Sequence, residues 1–284
     1  MNVYKEVWIH PGDSHRDEFL ALGILLHAGA MSKETKIVRG DPPQDKIEDP
    51  AVAIIDVGGV YDAARGCFDH HCLPRLMVEC AMTLVAQNFT IPGTQQTYAD
   101  LLGEKPWYQF TAWIDSQGPS RAAAQFGLEE LPGFMRSPIE AAALEAIKEE
   151  DWNTVLPLAK ATVNLKVQHA LKLQEQMKFL REQAYGLELA GINVLVVPAD
   201  DTFGSEAFRK EEEARGVTYD ACLSWDNRGK GWSLYRYDDS PKLDLSRLEG
   251  DVRVGFTHKG GFIAKTIERL DFEALTDLFT IAAL

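Results

Sequence analysis

The stretch Glu6-Val7-Trp8-Ile9-His10-Pro11-Gly12-Asp13-Ser14-His15-Arg16-Asp17-Glu18 opens on an apolar run and turns at Pro11-Gly12. It then leads into Phe19, Leu22, Ile24, Leu25 and Leu26 at helical spacing. This reads as a strand over Glu6 to Ile9, a loop, and a helix over Asp17 to His27, with Asp17 and Glu18 favoured at the helix start by the positive end of its dipole. Working outward, Thr35 to Val38 is extended, and Ala51-Val52-Ala53-Ile54-Ile55 is a buried strand-like run followed by Asp56-Val57-Gly58-Gly59. Strands and helices alternate, which predicts an α/β domain built on a mainly parallel sheet. His10 and Asp56 then both follow strands, at the carboxyl edge where open α/β sheets gather their ligands.

Composition sets outer limits. The chain has 284 residues, 45% of them hydrophobic, which suits about two domains with packed cores. No apolar stretch approaches the roughly 20 residues of a membrane helix, and Met1 to Ile9 has no secretory or transit character, so a cytoplasmic protein without a membrane partner is expected. The formal charge of −14 opposes binding of long nucleic acid and fits short or small phosphorylated partners better. Cys67, Cys72, Cys80 and Cys222 form no CxxC pair and are expected to be reduced thiols.

The remaining chain divides by pattern. Trp107 to Gly127 reads as helical, with Asp115 just before the breaker pair Gly118-Pro119. From Asn153 to Leu189, apolar residues step three or four apart through a charged background, predicting a long amphipathic helix. Its readings are a connector, a packed core helix, or a seam between two copies in a homo-oligomer. Beyond Gly191, strand candidates at Ile192 to Pro198, Tyr219 to Trp225, Trp232 to Tyr237 and Arg253 to Thr257 predict a smaller α+β domain. The expected division is therefore a catalytic domain over 1–152, a helical linker over 153–190 and a C-terminal substrate-binding domain over 191–284.

Four of the seven histidines fall in three blocks, His10 to Glu18, Asp56 to Gly59, and Asp69-His70-His71, each following a strand-like run. Imidazoles and carboxylates at such spacing suit divalent cations. Two ions about 4 Å apart can hold a bridging hydroxide and stabilise the attacking and leaving oxygens of a phosphoryl displacement. His10, His15 and Asp17 come from one strand-to-helix loop, Asp56 is placed to bridge, and His70 and Asp115 could complete the second ion's shell. The blander readings are a polar surface loop for the first block and a helix-end acid for Asp115. His27 and His169 match no pattern and read as structural.

Together these blocks resemble the DHH phosphoesterases. His-x4-His-x-Asp-Glu at His10 to Glu18, Asp-Val-Gly-Gly-x-Tyr-Asp at Asp56 to Asp62 and Phe-Asp-His-His at Phe68 to His71 look like the Myg-type exonuclease branch. The later stretch Thr257-His258-Lys259-Gly260-Gly261-Phe262-Ile263 is similar to that branch's His-x-x-Gly-Phe-Ile motif. The resemblance implies a DHH-type catalytic domain joined by a long helix to the smaller domain, with two Mn2+ ions in the cleft; Mg2+, Co2+, Fe2+ and Zn2+ suit similar ligands. It implies His10, His15 and Asp56 on one ion, Asp17, Asp56, His70 and Asp115 on the other, and His71 on the scissile phosphate. Asp69 would orient His70 or His71. In the second domain His258, Gly260, Gly261 and Lys265 would grip phosphate.

The function so implied is a manganese-dependent phosphodiesterase, an exonuclease hydrolysing short RNA or DNA to nucleoside monophosphates by attack of a metal-bound hydroxide. Two rivals stand beside it. One is a phosphoesterase for a small substrate such as pyrophosphate, a simple phosphoester or a cyclic dinucleotide, and the other is a catalytically silent nucleotide or RNA binder.

Overall fold

The computed structural model describes residues 3–129, 137–200, 203–237 and 240–284. The chain forms two compact units, Met1–Leu171 and Lys172–Leu284.

The first unit runs β1 (Glu6–Ile9), α1 (Arg16–Ala28), β2 (Lys36–Arg39), α2 (Gln44–Ile47), β3 (Val52–Ile55), β4 (Tyr61–Asp62) and β5 (Cys67–Phe68). Then follow α3 (Ala81–Asn88), α4 (Tyr98–Leu102), α5 (Pro106–Gln117), α6 (Pro119–Gln125), α7 (Pro138–Lys148) and the start of the 32-residue α8 (Trp152–Gln183). The sheet order is β2-β1-β3-β5-β4. β2, β1, β3 and β5 are parallel, and β4 alone is antiparallel, folding back beside β5. Val7, Ile9, Ala53, Ile55 and Phe68 pack on the main core with α1 and α3, while Ile54, Val52 and Cys67 meet Ile47 of α2 on the other face. Alternation along each strand produces these two faces.

α1 starts and stops where its sequence directs. His15 is its extended N-cap, and Gly29 (φ 74°) ends it in the left-handed region that lacks a Cβ penalty. α5, α6 and α7 each begin with proline in the first turn, where a missing N–H costs nothing. Gly118 separates α5 from α6 as the breaker pair predicts. At the middle of α1, Gly23 has no room for a side chain, since a Cβ would stand 2.6 Å from the Ala159 carbonyl oxygen and 2.7 Å from Val163 Cγ2.

The second unit holds β6 (Tyr185–Leu189), β7 (Ile192–Asp200), α9 (Ser205–Arg215), β8 (Ala221–Trp225), β9 (Trp232–Arg236), β10 (Val254–Thr257), β11 (Ile263–Thr266) and α10 (Phe272–Ala282). Its six strands follow the order β10-β11-β9-β8-β7-β6, with only β7 and β8 parallel. One face packs on Leu275, Leu278 and Phe279 of α10, the other on Ala207 and Phe208 of α9.

The long helix differs from its expected span. It ends at Gln183, and Tyr185–Leu189 forms a strand that turns back through Ala190 (φ 52°) and Gly191 (φ 78°) onto β7. Two successive positive φ values make the tight turn that suits strand twist, so the hairpin overrides the apolar spacing that suggested more helix. The segment expected as a linker over 153–190 is itself divided. Val155, Ala159, Val163 and Val167 are buried in the first unit's core, whereas Leu173, Met177 and Leu180 are buried in a core of the second. No helix among the described residues is long and apolar enough to cross a membrane.

Candidate metal centre

Parallel register aligns the site. Ile9 pairs with Ile55, and Ile55 with Phe68, so His10, Asp56 and Asp69 leave three adjacent strands at the same carboxyl edge. Asp56 adopts φ 59° at the end of β3, a left-handed conformation uncommon for a residue with a Cβ, and Gly58 and Gly59 continue with positive φ. Its backbone N–H still donates to the Phe68 carbonyl (3.2 Å), so the turn is anchored to β5.

α1 contributes the next groups. Asp17 and Glu18 in its first turn are buried, at 1% and 0% exposure, where carboxylates rarely sit without compensation. Asp17 Oδ2 accepts from the Ala81 N–H (3.2 Å), and Glu18 Oε2 accepts from the His15 N–H (2.8 Å). Asp115 arrives from the last turn of α5. Its Oδ2 lies 2.9 Å from His70 Nε2, which is also 3.1 Å from Asp56 Oδ1. His15 Nδ1 lies 3.8 Å from Asp115 Oδ1.

Ligand atoms lie within 4.8 Å of one another in three trios: His10, Glu18 and Asp56; Asp56, His70 and His71; and His15, Asp17 and Asp115. Within these groups His10 Nδ1, Asp17 Oδ1 and Glu18 Oε1 are buried and have no hydrogen-bond partner, while the buried Asp56 Oδ1 and Asp115 Oδ2 converge on the one His70 Nε2. Leaving so many buried lone pairs unsatisfied is costly unless a cation joins them. The donor set of imidazole nitrogen and carboxylate oxygen fits manganese, iron, cobalt or zinc.

The electrostatics agree. Burial, reinforced by Asp56 and Asp115, pushes the Asp17 carboxyl well above its usual range. Burial also raises Glu18 to about 8, against the pull of the His15 N–H, with Asp56 adding to the rise. Burial by itself would lower His70, but hydrogen bonding to Asp115 and Asp56 overcomes it and holds the imidazole up to about 10. Protons are retained here because negative charge is in excess.

Residues 6–75 match the family model MYG1_exonuc, an uncharacterised protein family (UPF0160). The chain carries a Myg-type segment. His10, His15, Asp17, Glu18, Asp56, His70 and His71 all lie inside this Myg-type segment, and Asp115 and the C-terminal motif lie beyond it. No curated protein matches the chain. Solved structures align at low scores. An uncharacterized protein from Helicobacter pylori G27 is 12% identical, covering 96% of this chain and 99% of that one, with TM-score 0.27. RecJ in complex with Mg2+ from Thermus thermophilus is 17% identical over 97% of this chain, which spans 49% of that protein, with TM-score 0.29. Exonuclease RecJ bound to manganese is 13% identical, covering 98% and 89%, with TM-score 0.26.

Within the Myg-type segment, Asp69 serves His71. Its Oδ1 accepts from the His71 backbone N–H (2.9 Å) and lies 2.6 Å from His71 Nδ1, while its Oδ2 accepts from Gly59 N–H (2.6 Å). A carboxylate can only accept, so Nδ1 carries the proton and Nε2 is left for other partners. Sequence reasoning does not single out Glu18 as a ligand, because a glutamate in the third position of a helix reads first as a capping group. The signal that could find it is its place beside Asp17 in the same block.

The C-terminal motif is arranged otherwise than as an open phosphate grip. Lys265 is 7% exposed and its ammonium pairs with Asp226. The Gly260 N–H donates to His258 Nδ1 (3.0 Å) and the Gly261 N–H to the His258 carbonyl (2.9 Å), so both amides close their own turn. The His258 ring packs on Phe262 at 4.1 Å. The physical reason is the strand pairing: Lys265 opposes Ser233 on β9, which carries its side chain into the sheet's surroundings rather than to a free edge.

Proposed function

We propose that this chain is a divalent-cation-dependent phosphoesterase, acting as an exonuclease on short RNA or DNA and releasing nucleoside monophosphates. The observation that carries this reading is the convergence of buried ligand atoms of His10, Asp17, Glu18, Asp56 and Asp115 at one sheet edge, those of His10, Asp17 and Glu18 without any hydrogen-bond partner. We assign His10, Glu18 and Asp56 to one ion and His15, Asp17, Asp56, His70 and Asp115 to a second, with Asp56 shared and manganese the favoured metal. Divalent ions there would neutralise phosphoryl oxygens and supply a nucleophile at neutral pH.

The protein's own groups do the rest. Asp69 holds the His71 ring at Nδ1 and its backbone at the N–H, and His71, with its side chain 59% exposed, turns Nε2 outward, where the imidazolium form would donate to a phosphoryl oxygen as charge develops there. Asp17 and Glu18 release their protons as cations enter. Substrate binding is assigned to the C-terminal part, residues 191–284.

A smaller phosphorylated substrate is the second reading, and the formal charge of −14 favours it over any long polyanion. The test gives purified protein short RNA, short DNA, pyrophosphate and a cyclic dinucleotide, each with Mn2+. Release of nucleoside monophosphates that disappears in Asp56→Asn and His70→Ala supports the proposal. Turnover of only the small substrates selects the second reading, and no manganese-stimulated hydrolysis of any of them leaves a silent binder.

A further inference from the structure

On the opposite side of α1 from the metal centre, the first unit holds a half-open cavity of about 520 Å³. Arg16, Phe19 and Leu20 share one face of α1 and line it, whereas Asp17 and Glu18 point the other way, as a helical period of 3.6 requires. Trp107, Phe110, Phe126 and Ile139 supply further apolar wall. The size and apolar lining are those of small-molecule sites, which span roughly 300–1,000 Å³ and carry a few placed polar groups.

The placed groups here are three charges. Arg16 and Glu140 neutralise each other through a two-pronged pair, Nε to Oε1 at 2.5 Å and Nη2 to Oε2 at 2.9 Å. Lys166 is different. Its ammonium stands 3.7 Å from the centre of the Trp107 ring, and among the described residues no carboxylate lies within ion-pair distance of it. Burial holds its amine down to about 8, with Arg16 lowering it further and Glu140 opposing. The lining therefore carries one net positive charge against aromatic walls, and the indole face is only a partial substitute for an anion.

We propose that this cavity binds a small organic monoanion with an apolar, ring-sized body, an aryl carboxylate being the matching class. The carboxylate meets Lys166 and the ring lies among Trp107, Phe110 and Phe126. Nothing in this proposal depends on the phosphoesterase reading, because the metal ligands take no part in the contact.

Calorimetric titration of the full chain in EDTA, with 2-naphthoate and its neutral counterpart 2-naphthalenemethanol, tests it. The acid should bind at least about 10-fold more tightly than the alcohol, the effect expected of a charge-assisted hydrogen bond. Lys166→Met should bring the acid down to the alcohol's affinity and leave the alcohol unchanged. Ile139→Trp adds bulk at a side chain that is 65% exposed, so it can narrow the mouth without disturbing the core, and it should weaken both ligands. If Lys166→Met fails to fold, Ile139→Trp decides. Equal affinities for acid and alcohol, absence of binding by both, or naphthoate binding untouched by the variants overturns the proposal.

Discussion

His70 Nε2 lies 2.9 Å from Asp115 Oδ2, although the two residues come from a strand-end loop and from the last turn of α5. One imidazole nitrogen thus faces a carboxylate that burial and neighbouring acids have left in need of positive charge. If Asp115 serves a cation, Asp115→Asn should reduce Mn2+ affinity by at least about tenfold, in the range seen when a site's orienting or ligating groups are lost. In the EDTA-treated protein the same substitution relieves repulsion from Asp17 but also removes a charged partner of His70, so the two effects oppose and the melting temperature should change little. Calorimetry with Mn2+ and melting temperatures with and without the ion check both halves; a large loss of stability in EDTA would make Asp115 a structural residue.

The pH dependence of the metal-free protein has a definite sign. Glu18 at about 8 stays protonated in the fold over a range where the unfolded chain has already ionised, so stability falls as pH rises from the ordinary carboxylate range to about 8. His70 at about 10 contributes stability that is fully present below the ordinary histidine value and is lost as pH rises through about 10. Both slopes have the same direction. Melting temperature in EDTA should therefore decline from pH 5 to pH 10, and Mn2+ added near pH 7 should release protons into a weakly buffered solution. A flat melting profile with no proton release would contradict this.

Asp69→Asn should separate orientation from metal binding. It replaces by a donor one of the two carboxylate oxygens that accept from His71 and Gly59, disturbing the hold on His71 Nδ1 while leaving every proposed ligand in place. Manganese-stimulated turnover should fall about 10–100-fold with Mn2+ affinity nearly unchanged, since second-layer partners act through the group they orient. Equal losses in both would assign Asp69 to the metal instead.

Gly23→Ala tests the packing beneath the site. Alanine favours a helix by about 1 kcal/mol over glycine, yet here its Cβ would meet the Ala159 carbonyl at 2.6 Å. Overpacking costs about 1–3 kcal/mol, so the variant should be less stable in urea denaturation, contrary to its helix propensity.

Lys265→Met distinguishes a structural lysine from a phosphate-binding one. The Lys265 and Asp226 side chains are 9% and 8% exposed, and removing one partner of such a pair costs about 3–5 kcal/mol. Loss of stability that is reversed in the Lys265→Met, Asp226→Leu double variant is the expected result. A stable single variant with weakened substrate binding would restore the phosphate role.

Local order is legible throughout the first unit. β1 over Glu6–Ile9, α1 around Asp17 to His27, and the break at Gly118-Pro119 follow from apolar spacing, acids at a helix start, and residues that cannot continue a helix. The β6 hairpin is not, because the helical spacing runs on to Ala184, the period-two set Tyr185, Leu187 and Leu189 that follows is only three residues long, and the turn depends on backbone angles at Ala190 and Gly191. Lys265 escapes a sequence reading for a related reason: a lysine four residues after paired glycines looks the same whether it faces solvent or a buried aspartate.

The amino-acid order by itself determined which chemistry was available, placing His10, Asp17, Asp56 and His70 at the ends of strands or the start of a helix, since periodicity and turn residues act over a few positions. Only the tertiary structure decided that Asp115 reaches His70, that Glu18 turns inward with one oxygen unpartnered, and that Lys265 is spent on Asp226. Those meetings depend on how helices and strands pack, and packing is set by many side chains at once rather than by any local run.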